Sequence, residues 1–156
     1  MSEKAVGYTT IGGDMMGGYG LIANLPKTVV IEFIRWWYEK TGLWVLSILD
    51  TTNASAELEE DQSDEKDLMP FPVLDACFAL FVGEKMSIQE VHHVLEQMWP
   101  EESRIQEWVA RFALLFITSI FKWVQTPLSV HLGGLDLDRE RALQLPVVQD
   151  RSWMED

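Results

Sequence analysis

The stretch SEKAVGYTTIGGDMMGGYGLIANLPKTVV, residues 2–30, places a glycine-rich segment shortly before the tripeptide Pro-Lys-Thr. Glycine adopts positive φ angles and lets a backbone approach a ligand closely, although an ordinary turn needs the same property. The segment alone therefore fits either a ligand-binding loop or a flexible turn. A helix should begin after Pro26, because apolar residues recur at helical spacing over residues 30–37, and Gly42 should end it.

Three further helices are predicted in the second half of the chain. Pro72 suits the first turn of a helix whose apolar face ends at Gly83. Ser87 and Glu90 have the spacing of a capping box, in which each side chain bonds the backbone of the other residue. Residues 101–124 predict a helix with a strongly apolar face, made of Ile105, Trp108, Val109, Phe112 and Phe116. This helix is the natural candidate for the core or for a contact between copies of the chain.

Extended structure is expected in only two short stretches. YTTI, residues 8–11, allows a short strand, and LWVLSIL, residues 43–49, fits a strand or a buried extended segment. The tail, residues 128–156, shows little period and is predicted to be irregular. The pattern gives at least four helices and one possible strand, and one domain over residues 1–156 is the default at this length. No βαβ unit is complete, but the glycine-rich segment, the helix after it and the acidic residues 50–68 resemble one flank of an α/β domain whose sheet lies elsewhere.

Composition narrows the function classes. The net charge is −13 over 156 residues, which disfavours nucleic acid and anionic lipid as partners. The most apolar stretch, residues 112–121, is half the length that a bilayer requires. The single cysteine, Cys77, excludes an internal disulfide and suits a reducing compartment, so we expect a cytoplasmic protein.

The histidines and the cysteine are not arranged in this sequence in a pattern typical of a catalytic or metal site. His92 and His93 are adjacent on a predicted helix and point about 100° apart, so they are not placed to share one metal ion. His131 stands alone in a predicted loop. Cys77 lies on an apolar helix face, which favours a core thiol over a nucleophile. No zinc spacing, serine elbow or Walker loop is present.

An acidic connector, residues 50–68, contains the stretch ELEEDQSDEKD, residues 57–67, which holds seven of the 25 acids. A charge run of this kind is usually a solvated loop. The alternative is a mobile flap near a metal ion and phosphates, where carboxylates meet Mg²⁺. We predict that the connector is mobile without nucleotide.

Four stretches together resemble the NAD⁺ synthetases, and their order and spacing agree over nearly the whole chain. Residues 2–30 resemble the family's Ser-Glu-x-Ala-x-Gly-Tyr, Gly-Asp-Met-x-Gly-Gly and Pro-Lys-Thr motifs. ASAELEEDQSDEKDL, residues 54–68, is similar to its Ser-Ala-Glu-Leu and Gln-x-Asp-Glu stretch. Residues 70–91 resemble the helices that follow that stretch in the family. FKWVQTP, residues 121–127, resembles more weakly an element near the family's C-terminus. The methionine after Gly-Asp and the long tail resemble the corresponding features of the glutamine-dependent members of the family.

The resemblance implies a fold and a reaction. The fold would be the mostly helical C-terminal portion of an α/β synthetase domain of the adenine nucleotide alpha hydrolase type. The family is a ligase of NAD⁺ biosynthesis: ATP adenylates deamido-NAD⁺, and ammonia, drawn from glutamine, gives NAD⁺. ATP, Mg²⁺ and deamido-NAD⁺ would then be ligands, and family synthetases are commonly dimeric.

The resemblance implies binding residues and identifies no catalytic residue. Lys27 and Ser55 match positions that contact ATP. Glu3, Asp14 and Lys122 match positions at the deamido-NAD⁺ site, and Glu3 also matches a carboxylate for Mg²⁺. The glycine-rich segment would lie beside the dinucleotide.

The sequence differs from the family pattern in the segments that take part in catalysis. The Ser-Gly-Gly-x-Asp-Ser pyrophosphate loop and the glutaminase domain are not among these 156 residues, and Trp123 replaces a usual arginine. We therefore expect a fragment or split subunit that needs the missing N-terminal half of the synthetase. The alternative is a non-catalytic interaction or regulatory relic of a synthetase. An unrelated helical binding module is a third interpretation.

Overall fold

A computed structural model describes residues 1–13, 15–52, 54–55, 62–137 and 143–152. Its regular structure consists of two strands of two residues each, β1 (Tyr19–Gly20) and β2 (Leu128–Ser129), and a set of mostly short helices. The helices are α1 (Ser2–Ala5), α2 (Lys27–Thr41), a 3₁₀-helix (Trp44–Asp50), α3 (Asp64–Asp67), α4 (Phe71–Phe78), a π-helical continuation (Ala79–Gly83), α5 (Ile88–Met98), α6 (Ile105–Thr118) and α7 (Ile120–Trp123).

The core lies between α4, α5 and α6 and is rich in aromatic rings. Phe112 and Phe116 stack with their centroids 5.7 Å apart, and Phe78 meets Phe116 edge-on at 6.1 Å. Each fully buried side chain of this size contributes roughly 1.5–3 kcal/mol to folding. The predicted apolar face of residues 101–124 is thus core, as expected.

Helix α2 follows the sequence prediction closely. It begins at Lys27 and stops at Gly42, whose left-handed φ of 64° is the conformation that glycine adopts most readily at a helix end. None of its residues is buried. The predicted capping box is also confirmed, since Ser87 Oγ accepts from the Glu90 N–H and the Glu90 carboxylate accepts from the Ser87 N–H.

Strands β1 (Tyr19–Gly20) and β2 (Leu128–Ser129) form a parallel pair, with Tyr19 opposite Leu128 and Gly20 opposite Ser129. This pair joins the glycine-rich segment to the start of the tail. Helical content and a small parallel sheet agree with the predicted portion of an α/β domain.

Most of the local predictions that failed concern short extended or irregular segments. Residues 8–11 are not a strand, and the N-terminal strand lies at Tyr19–Gly20 instead. Residues 43–49 belong largely to the 3₁₀-helix, and Trp44 there is 81% exposed, so the segment is neither extended nor buried. The tail begins with β2, and the helix predicted at 101–124 is interrupted at Ser119. An apolar run of seven residues has no period that separates these states.

The connector is only partly described. Its last residues form α3, and Asp64 in that helix is buried. Residues 53 and 56–61 lie outside the described residues, so the predicted mobility of 50–68 stays a prediction. Within the described ranges, no helix is both long and apolar enough to cross a bilayer.

Candidate functional site

Two of the sequence-predicted site residues meet in an ion pair. Glu3 lies on α1, and Lys27 is the first residue of α2. Lys27 Nζ lies 2.6 Å from Glu3 Oε1, with both side chains about a quarter exposed (26% and 27%). The ammonium also lies 5.3 Å from the ring centroid of Phe71, where the aromatic face attracts a cation.

The start of α2 is held by side chains from two other helices. Pro26, the N-cap residue, offers no side-chain cap. In its place Ser2 Oγ accepts from the Lys27 N–H at 2.7 Å, and Ser2 in turn donates to Asp75. Asp75 Oδ2 accepts from the N–H and the hydroxyl of Thr28, at 3.0 and 2.7 Å. These bonds satisfy donors that a helix start leaves open, and they fix the origin of the Lys27 side chain.

A first cavity, which we call the loop cavity, lies between the glycine-rich segment and α2. Its volume is about 410 Å³, within the range of small-ligand sites. Glu3, Lys4 and Lys27 contribute charged groups to its wall. Thr9, Met15, Gly20 and Pro127 are among the other lining residues.

A second cavity, the connector cavity, is also lined by Lys27. It measures about 390 Å³ and is lined by α2, the 3₁₀-helix and the ends of the connector. Ala54 and Ser63 line it, and the predicted site residue Ser55, which is half-buried, follows Ala54 directly. Lys27 therefore belongs to the wall that the two cavities share.

Lys122, predicted at the deamido-NAD⁺ site, holds the loop that precedes the glycine-rich segment. Its Nζ donates to the Gly7 carbonyl at 2.6 Å and to the Thr9 carbonyl at 2.9 Å. Gly7 is required here because its φ is 68° and a Cβ would lie 2.2 Å from Ser119 Oγ. Lys122 does not itself line the loop cavity but positions Thr9, which does.

Asp64 is a functional candidate that the sequence analysis missed. It is 4% exposed, and its Oδ1 has no hydrogen-bond partner among the described residues. Burial, followed by the negative charge of Glu3, raises the pKa of Asp64. The residue stood inside an acidic run, where no pattern separates one buried carboxylate from its solvated neighbours.

A second network ties the N-terminal segment to the connector. Tyr8 donates to Asp67 Oδ2 at 2.6 Å, and Gln62 donates to the same oxygen at 2.7 Å and to the Tyr8 hydroxyl at 2.9 Å. Donation to Asp67 raises the pKa of Tyr8 to about 12 and lowers the pKa of Asp67. The motifs at residues 2–30 and 54–68 thus meet in space.

The remaining candidates are not gathered into a site. His92 pairs with Glu96 at 3.2 Å on α5, His93 is exposed, and His131 pairs with Asp136 in the tail. Burial raises the pKa of Cys77 to about 12, which confirms a core thiol. Asp14, the other predicted binding residue, lies outside the described residues. In the part of the chain that the structure describes, no three His, Cys, Asp or Glu side chains are grouped to hold a metal ion.

Comparisons with known proteins agree on one family. A family model described as NAD synthase matches residues 1–113. The glutamine-dependent NAD(+) synthetase of Synechocystis sp. is 43% identical over 90 residues, which are 58% of this chain and 16% of that protein. The enzyme of the same description from Xanthomonas campestris pv. campestris is 35% identical over 118 residues, 69% of this chain and 20% of that protein.

A solved structure gives the same result over more of the chain. The crystal structure of a glutamine-dependent NAD(+) synthetase from Cytophaga hutchinsonii superposes with a TM-score of 0.77 and 26% identity. The match covers 99% of this chain and 24% of that one. The chain therefore spans about a quarter or less of the proteins to which it is similar.

Proposed function

This chain belongs to the NAD synthase family, and on that premise we propose that it supplies part of the active site of a ligase that makes NAD⁺ from deamido-NAD⁺. In the proposed reaction the nicotinate carboxylate attacks the α-phosphorus of ATP and releases pyrophosphate. Ammonia then attacks the acyl-adenylate, which gives the amide of NAD⁺ and releases AMP. We also propose that glutamine is the source of ammonia and that the enzyme acts in the cytoplasm.

Lys27 lines both cavities, and this is the observation that carries the proposal. The resemblance assigns Lys27 and Ser55 to ATP, and the connector cavity is lined by Lys27 and by the neighbour of Ser55. It assigns Glu3 and Lys122 to deamido-NAD⁺, and the loop cavity is lined by Glu3 and by Thr9, which Lys122 holds. We infer that ATP phosphates enter the connector cavity and deamido-NAD⁺ the loop cavity.

The residues then have separate tasks. Lys27 places positive charge between the two ligands, where negative charge develops as pyrophosphate leaves. Lys122 orients the backbone of the loop against the dinucleotide. We propose that Asp14 binds deamido-NAD⁺ and Ser55 binds ATP, as the resemblance implies.

The site also fits a magnesium ion. Mg²⁺ binds to oxygen ligands and takes one or two carboxylates together with substrate phosphates. Glu3 carries such a carboxylate, and the buried Oδ1 of Asp64 has no hydrogen-bond partner among the described residues. When bound, the ion would neutralise phosphate charge, and the carboxylate of Glu3 would hold it.

Reconstitution tests the proposal. The Ser-Gly-Gly-x-Asp-Ser loop is not among these 156 residues, so we expect no NAD⁺ from this chain alone. The chain is mixed with the part of the Synechocystis synthetase that precedes the matched region, and ATP, Mg²⁺, deamido-NAD⁺ and ammonium are supplied. Ammonium bypasses any need for glutaminase. We expect NAD⁺ formation, measured by chromatography.

The Lys27→Ala variant tests in the same reconstitution assay whether Lys27 itself contributes to turnover. Loss of the ammonium should lower turnover about 100-fold or more. Lys40→Ala, on the exposed surface of the same helix, is the matched control and should leave turnover unchanged. A covalent chimera of the two parts removes any dependence on association. A folded but inactive chimera would favour the alternative function, a non-catalytic interaction or regulatory role.

A further inference from the structure

Lys4 is a buried lysine in the wall of the loop cavity. The residue lies on α1, is 8% exposed and lines the cavity together with Glu3 and Lys27. Burial of an ammonium group costs free energy because the charge leaves water, whereas an apolar side chain would fill the same place without that cost. We therefore expect the charge of Lys4 to have a use beyond packing.

The residues next to Lys4 have tasks already, and Lys4 has none. Ser2 accepts from the backbone N–H of Lys27, and Glu3 forms an ion pair with the side chain of Lys27. The motif that residues 2–30 resemble reads Ser-Glu-x-Ala at its start, and Lys4 stands at the open position. The resemblance thus gives this lysine no role, and its charge belongs to this particular sequence.

The charged side chains of the loop cavity do not balance. Lys27 Nζ lies 2.6 Å from Glu3 Oε1, so the charges of this pair largely cancel. Lys4 adds a second ammonium, and the described lining residues therefore carry two lysines and one acid. In a chain whose net charge is −13, this local excess of positive charge favours an anionic ligand.

The rest of the wall suits a ligand that is partly apolar. Met15, Ile22, Val30 and Pro127 line the same cavity of about 410 Å³. A ligand that matches this wall carries an anionic group next to a flat or apolar part. Deamido-NAD⁺ has this combination, because its nicotinate carboxylate and its pyrophosphate both lie close to rings.

We propose that the Lys4 ammonium binds an anionic group of deamido-NAD⁺ in the loop cavity. This inference rests on the proposed function and deepens it, because it adds a cationic contact that the resemblance does not assign. Two groups of the dinucleotide offer the same chemistry, the nicotinate carboxylate and the pyrophosphate. NAD⁺ separates them, since it keeps the pyrophosphate and carries an amide in place of the carboxylate.

Isothermal titration calorimetry of deamido-NAD⁺ into the full 156-residue chain, without ATP, tests the inference. We expect Lys4→Met to weaken binding about tenfold to hundredfold, because a charge-assisted contact is lost while the length of the side chain is kept. Lys4→Gln is a second neutral variant and should give a similar loss. Lys4→Arg keeps the charge and should stay within about threefold of the parent chain. Lys40→Met, at an exposed lysine, is the control and should change the affinity less than about twofold.

Titration with NAD⁺ then identifies the anionic group. An effect of Lys4→Met on deamido-NAD⁺ alone assigns Lys4 to the carboxylate, and an equal effect on both dinucleotides assigns it to the pyrophosphate. Circular dichroism melting confirms that each variant is folded.

Three outcomes would overturn the inference: no binding of deamido-NAD⁺ to the parent chain, neutral variants that bind as tightly as the parent, or Lys4→Arg as weak as Lys4→Met. The titration contains no ATP, so Lys4-dependent binding can be observed even where reconstitution yields no NAD⁺. Conversely, a chimera that makes NAD⁺ equally well with and without the Lys4 charge would refute this inference and leave the proposed function intact.

Discussion

At the residue scale, Lys122 has a predicted binding role and also makes hydrogen bonds that the sequence did not predict. Its ammonium satisfies the carbonyls of Gly7 and Thr9, more than 110 positions earlier in the chain. We expect Lys122→Met, which keeps the length of the side chain, to lower the free energy of unfolding by about 1–3 kcal/mol. Urea denaturation measures this. Lys40→Met, at an exposed lysine, is the control, and equal effects of the two changes would contradict the structural role.

Cys77 offers a second test at this scale. The thiol is buried in the core and its pKa is raised to about 12 by burial, so almost no thiolate exists at pH 8. We expect Ellman's reagent to label it negligibly in buffer and completely in denaturant. Labelling within minutes in buffer would show that the core opens readily.

Single residues also show where sequence reasoning stops. Glu3 and Lys27 could be named because they stand in motifs, and the structure brings them to 2.6 Å from each other. Asp64 and Asp75 could not be named, since each acts on a group that is remote in sequence. Asp75 meets Thr28 across 47 positions, and such distances depend on tertiary packing, which local patterns do not report.

At the element scale, the helices with a marked start or stop were the predictable ones. Gly42 ends α2, and the Ser87–Glu90 box begins α5, because both signals are local and act through the backbone. The 3₁₀-helix and the strand pair were missed. Two-residue strands that pair across more than a hundred positions carry too little periodicity to be recognised.

Because Asp75 caps the start of α2, we predict that its removal destabilises that end of the helix locally. Asp75→Ala removes the acceptor for both donors of Thr28, so we expect a cost of about 1–2 kcal/mol and faster amide exchange at residues 27–30. Hydrogen exchange followed by mass spectrometry locates the effect. Ser87→Ala is the matched change at another cap and should accelerate exchange at the start of α5 only. Uniform acceleration in the Asp75 variant would argue against a local cap.

At the scale of the whole molecule, two helices in contact with each other carry several exposed apolar side chains. α2 and the 3₁₀-helix present Phe33, Trp36, Trp37, Trp44, Val45 and Ile48, each between 42% and 81% exposed. We call this set the aromatic surface. Exposed apolar patches of this kind mark interaction sites. The rings of α6, in contrast, are used in the core, so contacts between copies are expected at the aromatic surface and not at residues 105–121.

We therefore predict that the isolated chain self-associates through the aromatic surface. Trp44 is 81% exposed and Phe33 is 52% exposed, and charging both in Phe33→Lys/Trp44→Lys should raise the monomer fraction, because association would then bury two unpaired ammonium groups. Sedimentation velocity at two concentrations measures the fraction. Val148→Lys is the control, since Val148 is 86% exposed in the tail and lies outside that surface. A parent chain that stays monomeric at both concentrations, or association that only Val148→Lys reduces, would show that the aromatic surface does not join copies of this chain.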